Sequence, residues 1–273
     1  MWEANTSEYE AHYVQRLSKR QGQMPLGIIG TMGFLKRMLA SVGIGSAKID
    51  TVLHQSEVRR GDYLSGVTKV QAGQVSQIIE HINLYIMTHV EEEEGFSQHA
   101  AAQFRICGEI PLQPNEFTEV PFEIQVPYAV PLSLHGTRLW LNTGAAISAA
   151  VDPGDQDMLT ILPDPRSESF LGAMKTAGFV LRHSEVEYGY GHLIQEIGFV
   201  PSGERFRNLK EVEVVLTPQP KGLEVVLEVD RRARGIASFF ATHFEARSRW
   251  LIDDALFERP SDFAAELERR LNA

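Results

Sequence analysis

The chain has 273 residues and 30.6 kDa, enough for one large domain or two ordinary ones, each with its own core. A net charge of -10 and a pI near 5.4 argue against a general nucleic-acid binder, which needs a basic face. Cys107 has no second cysteine to pair with, no apolar run nears the roughly 18 residues of a membrane span, and the N-terminus lacks a secretory pattern; the chain reads as cytoplasmic.

Residues 1–31 are polar and then glycine-rich without a sustained period, and read as an N-terminal extension, flexible or upstream of a natural start at Met32. In the next segment Phe34, Leu35, Met38 and Leu39 form an apolar stripe beside Lys36 and Arg37. That stripe reads as packing on its own protein, with a membrane or partner surface as the sharper reading. From Ala47 the chain is strand after strand. Ala47, Ile49, Thr51 and Leu53 alternate with polar positions; Arg60-Gly61-Asp62 is a turn; Ile82, Leu84, Ile86, Thr88 and Val90 share one face. Phe104 to Leu112, then Phe122, Ile124 and Val126 after a Pro114-Asn115 turn, then Leu139 and Leu141 complete a first half. No long helical pattern separates these strands, so an antiparallel β-sandwich over residues 32–151 is expected.

Turn chemistry at Asp152-Pro153-Gly154-Asp155 and again at Leu162 to Ser167 places a boundary there, with a second sandwich over 152–250. Its strands run from Gly178 to Tyr188, from Leu193 to Val200, through Val212, Val214 and Leu216, and through Leu223, Val225, Leu227 and Val229. Beyond Gly235 the apolar spacing becomes helical, predicting a helix near 236–246. A helical tail over 251–273 carries Phe263, Leu267 and Leu271 at i, i+4 and i+8, with Asp262 early and Arg269 and Arg270 late, as the helix dipole favours.

Arg231, Arg232 and Arg234 sit just before the 236–246 helix, where each uncompensated cation costs roughly 0.3 to 1 kcal/mol. Two accounts follow. Carboxylates such as Glu228 and Asp230 pair with them and hold strand, helix and domains together, which is the preferred reading; or they meet an acidic partner or an anionic head group. Catalytic signatures are not found: there is no GxxxxGK[ST], GxSxG, HExxH or CxxC, and no cofactor motif. Asp152 to Asp157 looks superficially like a calcium loop but lacks the EF-hand glycine and closing glutamate, and reads as a solvated linker. His89, Glu91 and His99 form a crude metal constellation around an acidic run, and His54, His135 and His183 are scattered. Cys107 reads as an inert, half-packed thiol.

The strings LASVGIGSAKIDTVL (39–53), the Gly61 turn, IIEHINLYIMT (78–88) and EVDRRARG (228–235) resemble the bacterial sporulation-control family often called Spo-zero-M, over most of residues 32–245. Residues 1–31 and about 246–273 have no counterpart in that resemblance. The resemblance implies two arrestin-like β-sandwiches in tandem, no established catalytic activity, and a regulatory role in sporulation or cell-cycle and envelope physiology. The expectation is a mainly β regulatory scaffold that binds other proteins, without cofactor or metal and without nucleic acid. A peripheral membrane adaptor using Phe34 to Val42 and a metal-binding module or metal-dependent enzyme using His89, Glu91 and His99 are the alternatives.

Overall fold

The computed structural model describes residues 47–92, 95–147, 154–189, 191–231 and 245–272. The alternating segments read above become strands β1 (Lys48–Leu53), β2 (Glu57–Arg59), β3 (Tyr63–Gln71), β4 (Gln77–Glu92), β5 (Gly95–Cys107), β6 (Ile110–Leu112), β7 (Phe117–Gln125), β8 (Leu139–Ile147) and β9 (Gly154–Leu162). They form two sheets, β1-β3-β7 and β2-β9-β8-β4-β5, with β6 also on β4; every pairing is antiparallel except β2 with β9. The inward residues of each strand meet across the gap: Leu64, Phe122 and Ile124 face Leu84, Ile86, Leu141 and Ile161, while Ile49 and Val70 face Ile79, Ile82 and Ile147. Burying one face of each sheet in this way is what fixes the period-two pattern and the register. At the Pro114-Asn115 turn Asn115 takes a left-handed φ of 61°, a conformation asparagine tolerates better than most residues.

The unit boundary differs from the expected 151–152. β9 pairs along β8 from Leu139↔Leu159 to Gly144↔Gly154, so residues 154–162 complete the first unit and the division falls at Pro163-Asp164-Pro165. The acidic residues Asp155 and Asp157 therefore sit on a strand, and the linker reading of that stretch is corrected: the ladder claims their backbone, and Asp155 Oδ2 accepts a 2.7 Å hydrogen bond from Thr51 N.

Residues first read as a loop open a helix, α1 (Pro165–Thr176). Asp164 caps it by accepting from Ser167 N, Pro165 occupies the first turn, and Glu168 and Lys175 suit the two ends of the dipole. Then come β10 (Phe179–Gly189), β11 (His192–Pro201), β12 (Leu209–Gln219), β13 (Gly222–Arg231) and β14 (Glu245–Asp253), a five-stranded antiparallel meander in chain order. Residues 245 and 246, expected at the end of a helix, belong to β14, whose ladder with β13 runs from Gly222↔Asp253 to Asp230↔Glu245. The chain ends in α2 (Asp254–Phe257) and α3 (Pro260–Asn272). Residues 251–253, expected in the tail, are still strand. One face of the meander carries Phe199, Val214, Leu227, Trp250 and Ile252, and it is covered by Phe170 and Met174 of α1 and by Phe263, Leu267 and Leu271 of α3. Among the described residues, the layer opposite this second sheet is helical. The mainly β, antiparallel, two-unit architecture expected from the sequence is what the chain forms.

Candidate binding site between the two units

Two polar joints fasten the units together. In the first, Arg60 follows β2 and its guanidinium is nearly inaccessible, as is the Asp164 carboxylate it meets at 2.7 Å, with side-chain exposures of 4% and 2%. Arg60 also donates to Ser167 Oγ at 2.7 Å and to the Tyr128 carbonyl at 3.2 Å. Burial pushes the Arg60 guanidinium down, and the adjacent Asp164 charge opposes it. Burial pushes the Asp164 carboxyl up, but Ser167 and Arg60 together more than reverse that and hold it below its usual range. The cap of α1 is thus the acid of a buried ion pair whose base belongs to the first unit. Arg59 reinforces the joint through the Pro163 carbonyl and Glu168.

The second joint centres on Gln195 of β11. Its amide accepts from Leu132 N at 2.7 Å and donates to Leu132 O at 2.8 Å, with Ser184 Oγ at 2.9 Å. Thr137 and Ser184 share a buried 2.8 Å hydrogen bond beside it. Gly136, at a φ of 102°, lets the chain come against Ser184: a Cβ there would lie 2.5 Å from the Ser184 carbonyl oxygen. Further out, His99 of β5 stacks on Tyr188 of β10 with ring centroids 4.9 Å apart.

Between the joints lies an open cleft of about 950 Å³, walled by Tyr128 and Leu132 from the first unit and by Tyr188, Gln195, Pro218 and Arg249 from the second. Glu224 and Arg249 pair at 2.6 Å in its wall, and the lining as a whole mixes apolar and polar side chains. Tyr128 and Tyr188 are about half exposed, large amphipathic side chains of the kind enriched where proteins meet. This arrangement offers apolar area and orienting hydrogen-bond groups, the chemistry of binding a peptide or protein segment.

The residues singled out from the sequence lie elsewhere. Arg231 is the last residue of β13, its backbone opposite Leu209, and its side chain lies outside the described residues. Arg232, Arg234, residues 236–244 and the stripe Phe34, Leu35, Lys36, Arg37, Met38 and Leu39 also lie outside them. Asp230, expected to meet the arginines, takes a 2.8 Å contact from Lys210. His89, Glu91 and His99 do not converge: His89 tilts on Trp140 while His99 faces Ser97 and Glu92, because in the β4–β5 hairpin each lies opposite a different neighbour. Cys107 is half-buried, and burial raises its thiol. The buried joint at Arg60 was missed because the sequence marks that residue as one member of a turn. The one signal available was Asp-Pro with serine three residues after the aspartate, a helix start.

A family model described as SpoOM protein matches residues 35–233. The chain belongs to the Spo0M family. The sporulation-control protein Spo0M of Bacillus subtilis (strain 168) is 33% identical to it over 215 residues, covering 75% of this chain and 83% of that one. The crystal structure of Spo0M from Bacillus subtilis superposes with a TM-score of 0.72 at 26% identity, covering 84% of this chain and 99% of that one. The Spo0M match takes in both joints and, except for Arg249, the cleft walls named above. Among the described residues, no helix is long and apolar enough to cross a membrane.

Proposed function

We propose that this Spo0M-family protein is a non-catalytic regulatory scaffold that binds other proteins in the cytoplasm, in sporulation or in cell-cycle and envelope control. The observation that carries the reading is the cleft: its two walls come from different units, and each end is held by hydrogen-bonded side chains that leave its middle accessible. A wall set in place before a partner arrives lowers the ordering cost of binding. The name of the Bacillus subtilis relative supports the sporulation-control setting, and the acidic overall charge supports protein rather than nucleic acid as the partner.

The test places a photo-crosslinking residue at Tyr128, at Tyr188 or at Phe117, which is exposed on β7, in the full chain in its native cell. The reading expects one shared protein adduct from Tyr128 and Tyr188 and none of that mass from Phe117. Equal adducts from all three positions, or none from the cleft, would sink it. Turnover of a substrate abolished by a single change in the cleft would replace the scaffold with an enzyme.

A further inference from the structure

The face of the second sheet turned away from its helices brings together three side chains of metal-ligand type. His183 comes from β10, and Glu211 and Glu213 come from β12; one donor atom from each lies within 4.8 Å of the other two. This convergence is unusual for a sheet, because β11 lies between β10 and β12, and strands two apart are separated by roughly 9.5 Å. The obstacle is removed at Gly198, which lies opposite His183 on one side and Glu213 on the other. The imidazole crosses β11 on the glycine backbone: a Cβ at residue 198 would sit 2.6 Å from His183 Nδ1 and 2.8 Å from Nε2. Register shifts between Leu181 and His183 and between Leu209 and Glu211 turn the strands next to two of the three side chains.

The spacing suits a shared ion better than a direct hydrogen bond. His183 Nδ1 is 3.5 Å from Glu211 Oε1. Charge-assisted N–H···O contacts close to about 2.7 to 2.9 Å, whereas two ligands bound tetrahedrally at about 2.1 Å to one ion stand roughly 3.4 Å apart. The opposite ring nitrogen, Nε2, faces Glu185 Oε1 at 3.6 Å, outside hydrogen-bond distance but on the side from which an outer carboxylate orients a metal-bound imidazole. Glu185 in turn meets Glu91 of β4, so the cluster reaches the junction of the units. Lys210 is occupied with Asp230.

We propose that His183 Nδ1, Glu211 and Glu213 form a site for a divalent first-row cation of the zinc type, with Glu185 positioning the imidazole. One nitrogen with two carboxylates selects such an ion over magnesium or calcium, which prefer oxygen alone. The bound ion would tie β10 to β12 across β11 and brace the second unit where it abuts β4. This site is separate from the cleft and goes beyond the scaffold reading.

The test uses the full chain stripped with EDTA and dialysed, titrated calorimetrically with zinc chloride and, in parallel, magnesium chloride. Cobalt(II) serves as a spectroscopic probe of coordination. The expected result is about one equivalent of zinc, a higher Tm with zinc but not with magnesium, and cobalt d–d bands of four-coordinate intensity. His183→Asn and Glu211→Gln should each weaken zinc binding at least tenfold. Gly198→Ala, which removes no ligand, should also weaken it by displacing the ring, and the Tm of each metal-free variant checks folding. Failure of the wild type to bind zinc overturns the proposal. So does equal zinc binding by a folded His183→Asn or Glu211→Gln chain, and so does a six-coordinate cobalt spectrum unchanged by those substitutions.

Discussion

Replacing Arg60 by methionine keeps most of the buried stem and removes the guanidinium, which isolates the worth of the ion pair at the joint. The Asp164 carboxylate, whose side chain is 2% exposed, would keep only Ser167 N at 3.1 Å and Ser167 Oγ at 2.6 Å. Breaking a buried pair from one side costs about 3 to 5 kcal/mol. The two remaining hydrogen bonds and the helix N-terminus keep part of the charge compensated, which places this loss near about 3 kcal/mol. At about 2 to 4 °C per kcal/mol for a chain of this size, the Tm should fall by about 6 to 12 °C. The pH dependence supplies the sign. Asp164 lies below its usual range in the wild type, so its contribution is present above the ordinary carboxylate pKa and is lost as acid titrates the folded group. In Arg60→Met burial dominates and the carboxyl rises, so that variant gains stability on acidification, and the gap between the two proteins should narrow from pH 7 to pH 4. Adding Asp164→Ser, which retains a capping oxygen without the charge, should restore at least half the loss. Urea unfolding of the four chains measures the cycle; a single-variant loss under about 1 kcal/mol, or strict additivity of the two changes, would refute the account.

Asp157 gives the opposite pH behaviour: burial, then Asp155 and Asp50, push its carboxyl up to about 6. Its folded pKa exceeds its unfolded one, so wild-type stability falls as pH rises through that window. Asp157→Asn should stabilise the protein by about 1 kcal/mol at pH 7.5, after discounting for its partial exposure, and by almost nothing at pH 4, as melts at the two pH values would read. Gln195→Ala should cost about 1 to 3 kcal/mol, because the Leu132 carbonyl and amide lose their shared partner, and it should also weaken the Tyr188 cross-link. Leu267→Ala, at a position 1% exposed beneath α3, should cost about 2 to 5 kcal/mol, measured by chemical denaturation.

The strands were legible because each buries one face. β4 alternates Ile82, Leu84, Ile86 and Thr88 on one buried face, and such a period is visible whatever the order of the strands. The helix α1 was not legible as a helix: it buries fully only Ser167, Phe170 and Met174, and two prolines and an aspartate at its start carry the same letters as a turn. The unit boundary moved for a related reason. Gly154 and Asp155 have turn composition, yet the β8 ladder and the Thr51 amide impose an extended backbone on them. Spacing along the chain could suggest neither joint, since Arg60 and Asp164 are 104 residues apart and Leu132 and Gln195 are 63 apart. His183 looked scattered because its companions arrive through a glycine on the intervening strand, and a glycine leaves no pattern in hydropathy.

The way the two units are joined bears on what the molecule can do. An apolar interface between them would hold by area alone and tolerate many relative placements. Here the contacts flanking the cleft are a buried ion pair at one end and an amide bridging both backbone groups of Leu132 at the other. Such contacts contribute modest net stability, because the desolvation of Arg60 and Asp164 offsets much of their attraction. They are satisfied in one geometry, however, and a shift that opened either would strand a buried charge or a backbone amide. The joints therefore act as a positional constraint more than as an adhesive, and they fix how far Tyr128 stands from Tyr188 across the cleft. A partner that recognises both walls then reads a distance set by the two joints, which is why substitutions at Arg60 or Gln195 should alter binding even where the fold survives.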